Sequence, residues 1–151
     1  MSTSALEIVL TLFPERWRDG RTNLKELVDE EGFWPGVDDG LAPDARISFV
    51  TPFGATVGGM SGPFTGPEGF KAGWLEWLRP FDSFVISLKE ATVSEDGTRV
   101  LLLVTSRVTM AGSETTIDQP SATVTKVEGD RIVAIDHYLD HDQAAQAFAA
   151  P

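Results

Sequence analysis

The chain has 151 residues, 42% of them hydrophobic and 23% charged, which excludes a disordered or low-complexity polypeptide. Its 23 acidic residues against 12 basic ones give a formal net charge of -11, so nucleic acids and anionic membrane surfaces repel it at long range and neither is expected as a partner. The absence of cysteine excludes disulfides, thiolate zinc sites and iron–sulfur clusters and fits a cytoplasmic setting.

No apolar run reaches the ~18 residues of a transmembrane helix, and Met1 to Leu12 lacks the basic start of a signal peptide. No repeat or flexible linker divides the chain, which predicts one domain over 1–151. Ser4 and Glu7 have capping-box spacing, and Leu6, Val9, Leu10, Phe13 and Trp17 recur at helical period. Pro14 falls inside that pattern, so the helix must kink or end near Phe13. Asn23 caps a second, short helix carrying Leu24, Leu27 and Val28. Glu30 to Pro43 reads as loop, and Ala45 to Pro52 as a strand.

A Gly-rich passage, Gly54 to Gly66, leads to a helix announced by Thr65, Pro67 and Glu68. Phe70, Trp74, Trp77 and Leu78 form its aromatic face, and Pro80 ends it. Four β-rich runs follow, starting at about Phe84, Arg99, Thr115 and Arg131 and separated by turns at Glu95-Asp96-Gly97, Gly112-Ser113 and Glu128-Gly129-Asp130. Asp140 caps a closing helix of Ala and Gln. Helices, one strand, a helix and four sequential strands make an α+β domain, with an antiparallel sheet curling around the N-terminal helices and a pocket between them.

With these elements placed, the chain resembles the nuclear transport factor 2-like superfamily in its bacterial SnoaL-like branch. The resemblance rests on Phe64-Thr65-Gly66-Pro67-Glu68-Gly69-Phe70 leading to Trp74, Trp77 and Leu78, then on Phe81-Asp82-Ser83-Phe84, Val127-Glu128-Gly129-Asp130-Arg131-Ile132 and Tyr138-Leu139-Asp140. It implies a cone-shaped α+β barrel, a homodimer and an apolar cavity at the wide end. The superfamily includes isomerases, cyclases, dehydratases, epoxide hydrolases and non-catalytic binders, so fold alone does not name the chemistry.

Ketosteroid-isomerase-like relatives place a proton-moving carboxylate where this chain has Thr51, whose hydroxyl is no base near neutral pH. Limonene-epoxide-hydrolase-like relatives carry an arginine and two aspartates where this chain has Arg107, Thr109 and His137, so only the arginine matches. Arg107 interrupts the apolar run Leu101 to Met110 and shares a face with Thr109. Inward, it would need a partner or an anionic ligand; outward, it would reach a carboxylate on the solvent face, and Asp118 is within sequence reach. Gln119 is a candidate ligand contact opposite Arg107, and Pro120 beside it marks an edge or bulge.

His137 is the sheet residue able to exchange a proton near pH 7, and the alternative is a hydrogen-bonded core histidine. His141 reads as solvent-exposed. Trp74, Trp77, Phe49 and Leu103 are the expected cavity walls, with Thr51, Thr109 and Gln119 as further binding residues. No phosphate loop, nucleophile elbow or metal-ligand spacing is present, so neither a cofactor nor a metal is expected. The reading is a cofactor-independent isomerase, cyclase or lyase for a small hydrophobic, oxygenated compound, with His137 and Arg107 catalytic. The alternative is a non-catalytic ligand-binding or dimerisation domain of the same fold.

Overall fold

Pro14 divides the first helical run in two, as its ring and missing N–H require. In the computed structural model, which describes residues 4–27, 37–50 and 64–149, helix α1 covers Ala5–Leu12 and helix α2 covers Glu15–Arg18. Ser4 caps α1, its Oγ accepting from the Glu7 amide at 3.2 Å. Val9, Leu12, Phe13 and Trp17 turn to the core and are buried there.

A short strand β1, Asp19–Asn23, follows where no alternation predicts one. It exists by pairing with β4 (Phe81–Val93), a tertiary effect that overrides local propensity. Asn23 accepts at Oδ1 from the amides of Lys25, at 3.0 Å, and Phe84, at 2.9 Å. It thereby starts helix α3, Leu24–Leu27, and ties that helix to the sheet.

Part of the expected loop is ordered into a single turn, α4 (Val37–Gly40), and strand β2 begins at Leu41 and runs to Val50. Pro43 lies inside β2 where the register slips between Leu41 and Arg46, the irregularity a residue without an N–H needs. Thr51 and the Gly-rich passage up to Pro63 fall outside the described residues.

Strand β3 is Phe64–Thr65 and helix α5 is Gly66–Leu78. Thr65 holds the N-cap position, but its side chain makes no capping bond, unlike the expected box. Lys25 Nζ donates to the Leu78 carbonyl at 3.1 Å, closing the other end of α5.

Strands β5 (Arg99–Met110), β6 (Thr116–Glu128) and β7 (Arg131–Tyr138) complete an open sheet in the order β1-β4-β5-β6-β7-β2-β3. The expected α+β architecture is present, with one departure inside the sheet: β2 runs parallel to β7, all other pairs being antiparallel. Along β5, Val100, Leu102, Val104, Ser106 and Val108 are buried on the inner face, against the main core that includes α1 and α5 side chains. Leu101 belongs to a second cluster on the outer face with Ala122, Val124 and Tyr138, covered by Ala144 of helix α6 (His141–Ala149).

The carboxylate of Asp140 accepts from the Gln143 amide at 2.9 Å and so caps α6 as expected. His141, read from sequence as exposed, instead docks this helix. Its Nε2 lies 2.9 Å from the carbonyl oxygens of both Val104 and Ser121, so that nitrogen carries the hydrogen and donates.

Candidate functional site

The inner face of the sheet carries a short polar stripe in an otherwise apolar surface. Ser106 on β5 and Ser121 on β6 share a hydroxyl–hydroxyl bond of 2.9 Å. Thr123 pairs with Leu102 across β5–β6 and with His137 across β6–β7, which places it beside the imidazole on the same face. Opposite the stripe stand Phe13, Trp17, Trp74 and Trp77, and between them lies a cavity of about 40 Å³. The rings interlock edge to face: Trp17 and Trp74 lie 5.3 Å apart at 83°, and Phe13 and Trp17 5.9 Å apart at 88°.

His137 is 7% exposed. Its ring meets Trp74 at 5.1 Å and 88°, and Phe13 at 6.2 Å and 66°. Burial among these rings penalises the imidazolium and pushes the His137 pKa down to about 3. The cause is desolvation, with no contribution from a neighbouring charge among the described residues.

Arg107 is not in the cavity. Alternation along β5 puts it on the outer face, where its side chain is 65% exposed and its Nε donates to Asp118 Oδ1 at 2.9 Å. This pairing raises the Arg107 pKa and lowers that of Asp118. Thr109 shares the outer face and bonds Thr116 at 2.9 Å, and Leu103 lies there against the α6 cluster. The reason is parity: inner positions on β5 are the even-numbered ones, and Arg107, Thr109 and Leu103 are odd.

Trp74 and Trp77 line the cavity. Gln119 pairs with Ser106 and is half-buried, but it is not among the lining residues. Phe49 pairs with His137 across the parallel β2–β7 ladder; its side chain, like Thr51 as a whole, falls outside the described residues.

Sequence reasoning missed Arg18. It lines the cavity at the end of α2, anchored by a bond of 2.9 Å from its Nε to the Phe13 carbonyl. Helical periodicity continued through Pro14 does not place it there; the break between α1 and α2 does. Ser106, Ser121 and Thr123 were also missed, and the even parity of Ser106 with Leu102 and Val104 is the signal that locates it. Among the described residues no three His, Asp or Glu side chains converge on one point.

The space is tight. A volume of about 40 Å³ admits roughly three waters at ~10–15 Å³ each and is well below the ~150 Å³ that holds a benzene ring. The ring-sized pocket expected from sequence is therefore filled by the protein's own aromatic side chains.

A mixed sheet wrapped on N-terminal helices, with a polar stripe facing an aromatic cluster, defines a nuclear transport factor 2-like protein. The sequence profile of the SnoaL-like domain matches residues 25–135, and the chain belongs to that family. No curated protein matches the sequence. Among solved structures, TerC co-crystallised with polyporic acid superposes with a TM-score of 0.63 at 19% identity, covering 96% of this chain and 98% of TerC. An NTF2-like protein of unknown function from Burkholderia pseudomallei K96243 gives 0.65 at 21% identity, with coverages of 96% and 97%. A protein described as a SnoaL-like polyketide cyclase, from Jannaschia sp. CCS1, gives 0.59 at 18% identity, with coverages of 99% and 94%. At these identities the likeness is one of fold.

Proposed function

We propose that the protein takes a small hydrophobic, oxygenated molecule between its aromatic cluster and the polar stripe, and moves a proton on it through His137. The observation carrying this reading is the position of His137: a buried imidazole, neutral at physiological pH, on the wall of the cavity and beside the Thr123 hydroxyl. The polyketide-cyclase description of a neighbour of the same fold supports the isomerase or cyclase class. An imidazole with so low a pKa is a weak base. A ligand losing a proton beside it gains negative charge, and that charge favours the imidazolium as it forms. Because the cavity is tight, the ligand enters by displacing an aromatic side chain.

The test uses 2-tetralone, an apolar ring with an enolisable carbonyl. In D2O the wild-type protein should accelerate exchange of the α-protons, and His137→Gln should lower that rate by about 100-fold, the usual scale of a general base. Equal rates for the two proteins would overturn the catalytic role.

A second reading, a non-catalytic binding module, is favoured by one specific feature. None of the described cavity-lining residues is a carboxylate, so no fixed anion among them supports an imidazolium. In that case 2-tetralone displaces Nile red from the protein without exchanging its protons. Either reading includes a second copy of the chain as partner, and Met110 and Ile117 are exposed apolar residues that such a contact would cover. Light scattering should then give about twice 16.4 kDa; the monomer mass at micromolar concentration would remove the dimer.

A further inference from the structure

Arg18 is the one charged side chain among the described residues that line the cavity. Its Nε is committed to the Phe13 carbonyl, which leaves the two terminal amino groups as its remaining donors. Among the described residues it forms no ion pair. The neighbouring Asp19 makes no ion pair with it; that carboxylate instead accepts from the amides of Arg21 and Thr22 and from the Thr22 hydroxyl, at 2.8, 3.0 and 2.8 Å. Among the described residues the cavity thus has aromatic walls, hydroxyls and a neutral imidazole, with a single positive charge.

We infer that Arg18 selects the ligand by charge: the cavity takes a molecule with an apolar ring body and one anionic oxygen head, a carboxylate or an acidic enol. This deepens the proposed function and rests on that reading of the cavity. A guanidinium presents paired N–H donors that match two carboxylate or enolate oxygens. Beside low-dielectric aromatic walls such a pair is screened less than in water. Aromatic walls alone would equally suit a cation, but a fixed guanidinium repels one. The same charge would stabilise an enolate formed on the ligand.

The experiment follows Trp fluorescence, since Trp17, Trp74 and Trp77 line the cavity, while titrating three probes of one shape: 3-phenylpropionate, 3-phenylpropanol and 3-phenylpropylammonium. The anion should bind at least about tenfold more tightly than the alcohol, the scale of one charge-assisted hydrogen bond, and the ammonium should bind most weakly. Arg18→Gln should abolish the preference for the anion while leaving the alcohol's affinity unchanged, and Arg18→Lys should restore part of it. Equal affinities for anion and alcohol in the wild type would overturn the inference alone. So would an anion preference that survives in Arg18→Gln with unchanged circular dichroism. Failure of all three probes to bind would overturn the ligand-site reading beneath it.

Discussion

The imidazole of His137 stands edge-on to the indole of Trp74, with centroids 5.1 Å apart and planes at 88°. This contact, with Phe13 on another side, gives the imidazole an apolar surrounding in which its charged form is unfavourable. The site's only sheet histidine is therefore held neutral by packing.

That packing has a pH signature. The pKa of His137 lies near 3 in the folded protein against the ordinary 6.5 of a histidine, so the unfolded chain binds the extra proton more readily. The associated stability is fully present above pH 6.5 and declines as pH falls toward 3. Between pH 7.5 and 5 the loss should be about 2 kcal/mol. Urea unfolding of the wild type at both pH values, compared with His137→Gln, should show this difference in the wild type only. The aspartates with lowered pKa values, Asp19, Asp96 and Asp118, lose their own contribution only at more acidic pH, outside this window.

Arg107→Ala should alter neither the melting temperature nor the affinity for an apolar probe. The Arg107–Asp118 pair is solvent-exposed on the outer face, and exposed ion pairs are largely screened. A marked loss of Nile red binding in this variant would return Arg107 to the site.

Two threonines on the inner face separate structure from function. Among the described residues, neither Thr123 Oγ1 nor Thr125 Oγ1 has a hydrogen-bond partner, but only Thr123 lines the cavity. Replacing either by valine removes a buried hydroxyl and should raise stability by up to about 1 kcal/mol. Thr123→Val should also weaken binding of 2-tetralone, whereas Thr125→Val should not. Denaturant midpoints together with fluorescence titration check both halves.

Gly66→Ala should be among the most damaging single changes. Gly66 has φ +71°, and an added Cβ would lie 2.5 Å from the Pro43 carbonyl oxygen. The left-handed backbone alone costs about 1–2 kcal/mol for a residue with a side chain, and the contact with backbone in β2 adds to it. A melting temperature within a degree or two of the wild type would contradict the close approach of β2 to the start of α5.

The longer helices, the five long strands, the break at Pro14, the glycine turns and the aromatic face of α5 were legible in the sequence, because each depends on local chemistry: a missing N–H, a positive φ, a helical or strand period. His137 as a candidate was legible too, since few side chains in the chain titrate near neutrality. The face on which β5 presents Arg107 was not. Leu101 and Leu103 are as apolar as Leu102 and Val104, because α6 covers one side of the sheet while the main core covers the other, and two covered faces erase the alternation that would distinguish inside from outside. Arg18 enters the cavity only because the chain breaks between α1 and α2 and then pairs β1 with β4. The strand β1 and the parallel β2–β7 ladder have the same origin: both are contacts between residues distant in sequence, which local propensity does not encode. The sequence by itself determined the long elements and offered His137 as a candidate; tertiary packing buried that imidazole, held it neutral and put Arg18 rather than Arg107 on its cavity.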